Sequence, residues 1–128
     1  MTIKFERLSD LFDDNIVQEM IGYADASNCC HYNAATICNE FRDWECIDYC
    51  EGYYAGGCGH AFNCYNDYDG NKHYFDVTQE LYLSIGLIKE FKEEAQLVTT
   101  FENGTEAIEK FEMAGETSLL TVSVMLRT

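Results

Sequence analysis

Gly59-His60-Ala61-Phe62-Asn63-Cys64-Tyr65-Asn66-Asp67-Tyr68-Asp69-Gly70-Asn71-Lys72-His73-Tyr74-Phe75-Asp76-Val77-Thr78 reads as two strands around a tight turn. Its register decides which side chains share a face. A two-residue Asp69-Gly70 turn pairs Tyr68 with Asn71, sets His60 opposite Gln79 and turns Asp76 to the wrong face. A three-residue loop, Tyr68-Asp69-Gly70, pairs Asp67 with Asn71 instead. His60 then lies opposite Thr78, and Asp76 sits two residues along on the same face. Such a loop calls for Gly70 in the left-handed conformation with a bulge. If His60 and Asp76 act together, the three-residue loop is required.

Upstream, Asn28-Cys29-Cys30-His31-Tyr32-Asn33-Ala34 opens a helix expected to run to about Phe41. Cys30, Ala34, Ile37, Cys38 and Phe41 recur at i, i+4, i+7, i+8 and i+11, so Cys30 starts the inward face. A thiol attacks carbonyl carbon as thiolate, and its free pKa of about 8.5 leaves little thiolate at neutral pH. A helix N-terminus supplies partial positive charge and free N–H groups that favour the anion. Cysteine, histidine and aspartate in this order are a thiol nucleophile, its base and the orienter of that base. Cys29 competes with Cys30, because one residue of error in the helix start exchanges their roles. Each member also has a plain structural reading. A cysteine is usually a small buried hydrophobe, a histidine on an aromatic strand a hydrogen-bonded core residue, and Asp76 the cap of the next helix.

The rest of the chain reads as follows. Residues 1–8 form a short edge strand or arm. Ser9 caps a first helix that carries Leu11, Ile16 and Met20 and ends near Gly22 or Ala24-Asp25-Ala26-Ser27. Residues 44–54 form a strand ended by Gly56-Gly57. Thr78 caps a helix over residues 79–95, where Leu83, Leu87 and Phe91 repeat every four residues. Residues 96–101 form a strand, Asn103-Gly104 a turn, 105–114 a short helix with Ile108 and Phe111, and 118–126 a final strand. The sum is an α+β domain spanning residues 1–128, helices first and then an antiparallel sheet with further helices packed on it.

Composition bounds the function. With 128 residues, 47% hydrophobic and 14% aromatic, the chain builds a globular core. Its 23 acidic residues against 8 basic give −15, a surface that repels phosphate backbones and suits a basic partner or cationic substrate. Direct nucleic-acid binding is not expected. Most of the acids are a solvated face. The seven cysteines leave at least one unpaired in a monomer. With no apolar h-region after Lys4 and Arg7, and no apolar run of about 18 residues, a reducing cytoplasm and no membrane partner are expected.

The words around the three residues resemble the transglutaminase-like branch of the papain-like cysteine hydrolases. They stand here as Cys30-His31-Tyr32-Asn33-Ala34, Glu51-Gly52-Tyr53, His60-Ala61-Phe62-Asn63 and Asp76-Val77-Thr78, in the family's order and spacing across about residues 28–80. The resemblance implies a papain-like α+β fold, with the cysteine helix packed on the sheet that bears histidine and aspartate. It implies Cys30 as nucleophile, His60 as general base and acid, and Asp76 as orienter of the imidazole. Phe62 stands where tryptophan is common and Val77 where proline is common. The implied activity is that of a peptidase, deamidase or transglutaminase acting on an amide of a protein, peptide or small molecule, with no cofactor. The Cys30 backbone N–H and the Asn28 amide are candidate oxyanion donors. Asn33, Glu51 and Asn63 are supporting residues.

Two other classes compete. Cys46, Cys50, Cys58, His60 and Cys64 are five soft ligands within nineteen residues, and both Cys46-x3-Cys50 and His60-x3-Cys64 have zinc-like spacing. On extended strands, however, each pair is about 13 Å apart and cannot chelate one ion. Alternatively, the −15 surface belongs to a non-catalytic acidic inhibitor that imitates DNA or engages a basic protein.

Overall fold

In the computed structural model, which describes residues 1–27, 30–54 and 56–102, the turn after residue 66 is the three-residue form. The Asp67 N–H donates to the Asn71 carbonyl (3.0 Å) and the Gly70 N–H to the Asp67 carbonyl (3.1 Å). Asp67 Oδ1 accepts from the N–H groups of Asp69 and Asn71, both at 2.9 Å, which clamps the loop from within. Gly70 has φ +83°, a conformation that a Cβ would disfavour. The flanking strands, β3 (Gly59–Asn66) and β4 (Lys72–Phe75), pair Asn63 with Phe75 and Asn66 with Lys72. This is the register that puts His60 and Asp76 on one face.

Among the described residues, five strands make one antiparallel sheet: β1 (Thr2–Lys4), β2 (Ile47–Tyr54), β3, β4 and β5 (Glu94–Phe101), in the order β1-β5-β2-β3-β4. Its two edges nearly meet. Phe5 bridges Tyr74, and the Glu6 N–H donates to the Tyr74 carbonyl at 2.8 Å, so the sheet curls almost into a barrel. Ile3, Phe5, Cys50, Phe62, Cys64, Tyr74 and Ala95 fill the inside of that curl. A bulge between Glu51 and Gly52 lets β5 approach β2 closely. A Cβ on Gly52 would lie 1.8 Å from the Gln96 carbonyl oxygen, so no other residue fits there.

The outer face carries the helices: α1 (Leu8–Leu11), α2 (Asp14–Tyr23), α3 (Cys30–Glu40) and α4 (Val77–Ser84). Ala34, Ile37, Cys38 and the following Phe41 meet Ile47, Tyr49, Ala61, Phe75 and Phe101 of the sheet, with Leu8 and Met20 completing this second core. Fully burying an Ile or Phe side chain contributes roughly 1.5–3 kcal/mol, so this stripe is what seats α3. The expected face of α3 is the observed one. Among the described residues, no helix is long and apolar enough to cross a membrane.

Several boundaries differ from the sequence reading. Ser9 lies inside α1 and caps nothing. Phe12 is extended between the two short helices and places its ring against Tyr65 (5.1 Å) and Phe75 (5.7 Å). Asp13 then caps α2, accepting the Ile16 N–H at 3.0 Å. β2 starts at Ile47 rather than residue 44, because Arg42–Trp44 form a 3-10 turn closed by Glu45 at φ 57°.

The helix expected over residues 79–95 is α4, starting at Val77 under an Asp76 cap and stopping at Ser84. Gly86 turns left-handed at φ +76°. The N–H groups of Gly86 and Leu87 donate back to the Leu83 and Tyr82 carbonyls, the Schellman pattern that stops a helix. Leu87 is consequently exposed, while Phe91 reaches Phe5 at the curl. The turn, helix and strand expected after residue 102 lie outside the described residues.

Candidate active site

At the Gly59 end, β3 runs past the end of β4, since the ladder stops at Phe75 and Asp76 opens α4. This frees the β3 edge next to His60. The Ala61 N–H, without a β4 partner, donates instead to Cys30 Sγ at 3.4 Å. Cys30 is the first residue of α3, so its sulfur also sits at the positive end of an eleven-residue helix. His31 Nδ1 lies 3.7 Å from the same sulfur.

His60 Nε2 meets Asp76 Oδ2 at 2.6 Å, both side chains buried. That contact leaves Nδ1 as the ring nitrogen free to serve Cys30. The imidazole lies nearly parallel to Tyr54, with centroids 4.3 Å apart, and Phe62 flanks it at 6.1 Å. Asp76 Oδ2 also accepts the Tyr54 hydroxyl (2.7 Å) and Gln79 Nε2 (2.9 Å), while Oδ1 accepts the Gln79 N–H (3.2 Å). Asp76 is therefore both a helix cap and the imidazole's partner. The two readings of this residue are both realised, one on each carboxylate oxygen.

The electrostatics follow from these contacts. Burial raises the Asp76 carboxyl, but the His60 charge and the hydrogen bonds from His60, Tyr54 and Gln79 outweigh it and hold the group below its usual range. Burial opposes the His60 cation, yet Asp76 and Cys30 together push it up to about 9. Burial likewise opposes the Cys30 thiolate, and hydrogen bonds and charge from His31 and His60 bring it down to about 6. Between these values the favoured state is thiolate beside imidazolium. The other buried thiols go the opposite way: burial pushes Cys38 and Cys50 up, and Cys64 up to about 12.

A cavity of about 300 Å³ opens onto Cys30 and His60, walled by Tyr54, Thr78, Tyr82 and Lys92. Lys92 Nζ lies 4.6 Å above the Tyr54 ring. Gln79 ties this wall down, its Nε2 donating to the Lys92 carbonyl (3.0 Å) and its Oε1 accepting the Lys92 N–H (2.7 Å).

The structure thus brings Cys30, His60 and Asp76 together. Asn33 and Asn63 lie behind them and hold α3. Asn33 joins the Asp25 backbone (3.0 and 3.2 Å) to Thr78 Oγ1 (3.2 Å), and Asn63 Nδ2 donates to the carbonyls of Ala34 (3.0 Å) and Asp48 (3.2 Å). Their amides are engaged in support rather than aimed at a substrate. Glu51 is buried on the helix side of β2, where Oε1 accepts the Tyr49 hydroxyl at 2.5 Å. Asn28 and Cys29 lie outside the described residues.

Tyr54, Gln79, His31 and Lys92 belong to the site without having been singled out from the sequence. Gln79 had a local signal, since Asp76-Val77-Thr78-Gln79 has the spacing of a capping box. Tyr54 and Lys92 had none, because their place depends on the curl of the sheet.

The five candidate zinc ligands are dispersed. Cys50 and Cys64 face the inside of the curl, Cys46 borders the outer core, Cys58 is exposed in the β2–β3 turn and His60 is held by Asp76. Among the described residues, no three His, Cys, Asp or Glu side chains converge to hold a metal. A scan against protein-family models, a search of curated proteins and a search of solved structures returned no significant match to the chain.

Proposed function

We propose that this protein is a cysteine-dependent acyl-transfer enzyme of papain-like, transglutaminase-like type, acting on an amide through a thioester. The observation that carries this reading is the convergence of Cys30 Sγ on the β3 edge beside a His60 whose far nitrogen is 2.6 Å from buried Asp76. It is supported by the contrast among thiols of the described residues, since Cys30 is shifted toward the thiolate while buried Cys38, Cys50 and Cys64 are shifted away from it.

In the first half-reaction the Cys30 thiolate attacks the carbonyl carbon, and the electron pair moves onto the carbonyl oxygen. The Cys30 backbone N–H, in the first helical turn where no intrahelical carbonyl claims it, is a donor to that oxyanion. Collapse of the intermediate breaks the C–N bond while His60 gives its proton to the departing amine. In the second half, His60 takes a proton from water or from an acceptor amine as it attacks the thioester carbonyl, and Cys30 leaves as thiolate. Asp76 keeps the ring oriented throughout and stabilises its cation. Water gives hydrolysis or deamidation; an amine gives transfer. The acidic surface favours basic or neutral amide substrates.

The test is iodoacetamide labelling from pH 4 to 9, mapped to each cysteine by mass spectrometry, in wild type and His60→Ala. Selective labelling of Cys30 below pH 7 that is lost in the variant supports the ion pair. Uniform slow labelling of all the thiols would overturn it.

A further inference from the structure

A second cavity lies away from Cys30, at the other end of β3, about 17 Å along the strand from His60 to Tyr65. It has a volume of about 480 Å³ and is lined by Asp43, Trp44, Cys46, Tyr65, Asp67 and Tyr68, with Asn66 between them. Phe12 packs against both aromatic walls, its ring 6.0 Å from Trp44 and 5.1 Å from Tyr65, so the two are held by one shared neighbour. Trp44 remains 40% exposed although Phe41 supports it from behind at 4.7 Å, and Tyr68 at the turn tip is fully exposed. An aromatic-walled recess of this size with exposed ring area attracts cations through the ring quadrupoles.

The charges at its rim point the same way. Among the described residues, no hydrogen bond or ion pair claims the exposed Asp43 carboxylate. Asp67 is instead paired with His73, its Oδ2 2.9 Å from Nε2, so the charge left to the groove is that of Asp43. Of the nearby cations, Arg42 Nη1 reaches Asn39 (3.4 Å), and Lys72 Nζ, on the Asn66 side of the groove, is taken up by Asn66 Oδ1 (2.8 Å) and lies 3.8 Å from Asp48. The chain as a whole carries −15, which draws cations toward every such recess.

We infer that this groove binds a compact organic cation, an ammonium or guanidinium head seated between Trp44 and Tyr65 with its charge met by Asp43. The inference stands apart from the chemistry at Cys30. Two sources carry such a head: a free quaternary ammonium compound, or a basic side chain on a polypeptide.

Trp44 is the chain's one tryptophan, so its intrinsic fluorescence reads the groove directly. The intact protein is titrated, at matched ionic strength, with choline, with N-acetyl-arginine amide and with 3,3-dimethylbutan-1-ol, the neutral shape analogue of choline. A saturable change with either cation but not with the alcohol is expected, weakened at least fivefold in Asp43→Asn. Which cation saturates identifies the source. An equal response to the alcohol, no saturation by either cation, or unchanged binding in Asp43→Asn overturns the assignment. Iodoacetamide labelling of Cys30 in Asp43→Asn stays as in wild type, which separates this site from the proposed active site.

Discussion

The His60 imidazole lies flat on the Tyr54 ring, 4.3 Å between centroids, while the Tyr54 hydroxyl reaches the same Asp76 oxygen that holds His60 Nε2. One tyrosine thus fixes the histidine by its face and the aspartate by its tip. Ring and hydroxyl can be separated by mutation. Tyr54→Phe keeps the stack but leaves Asp76 one donor short, a loss expected to cost about 1–3 kcal/mol. Urea denaturation should show that drop while Cys30 remains the thiol that labels first. Loss of selective labelling in Tyr54→Phe would mean the hydroxyl, not the ring, sets the histidine.

The ion pair predicts a bell in pH. Cys30, lowered from 9.0 to about 6, adds stability that is fully present above its ordinary value and lost as pH falls through about 6. His60, raised from 6.5 to about 9, adds stability that is fully present below its ordinary value and lost as pH rises through about 9. Activity on an amide, which needs both thiolate and imidazolium, should rise through the first value and fall through the second. A thermal-melt series in wild type against Cys30→Ala should show the difference between them largest in the middle of that window. A difference that does not vary with pH would remove the pair.

Asp76 has two duties that two substitutions distinguish. Asp76→Asn keeps an oxygen that can cap α4 but removes the charge facing His60. It should cut the Cys30 alkylation rate at pH 7 at least tenfold and also lower the melting temperature, because the buried pair with His60 is lost. Asp76→Ala removes the cap as well and should cost a further ~1 kcal/mol. Equal stability loss in both variants would show that charge, rather than capping, holds the start of α4.

Gln79 grips both Asp76 and the Lys92 backbone. In Gln79→Ala the Lys92 amide proton should exchange with solvent at least tenfold faster, while the amides of the β2–β3 ladder keep their protection. Unchanged exchange at Lys92 would show that the wall of the cavity is held by other contacts.

Gly52→Ala should be among the most damaging single changes, at about 3 kcal/mol or more, because the added carbon meets a β5 carbonyl rather than a yielding side chain. Equilibrium unfolding by urea measures it. A wild-type midpoint would show that β5 can move away from the bulge.

The sequence by itself determined the features governed by local chemistry. Asp69-Gly70 marks the turn, because glycine takes the left-handed position cheaply, and pairing His60 with Asp76 requires its three-residue form, which the structure clamps through Asp67 Oδ1 on the Asp69 and Asn71 N–H groups. That turn fixes the register that puts His60 and Asp76 on one face. The spacing of Ala34, Ile37, Cys38 and Phe41 fixes the inward side of α3, and hence that Cys30 points toward the sheet. Tertiary structure decided the rest. Ser9 is a good cap by composition, but Phe12 finds a better place between Tyr65 and Phe75, so the helix breaks and Asp13 caps the second piece. Leu83, Leu87 and Phe91 have helical spacing, but Gly86 stops α4, and Phe91 is needed against Phe5 where the sheet closes on itself. Tyr54 and Lys92 reach the site for the same reason. Their neighbours are set by where residues 5 and 74 meet, a contact between distant parts of the chain that no local preference encodes.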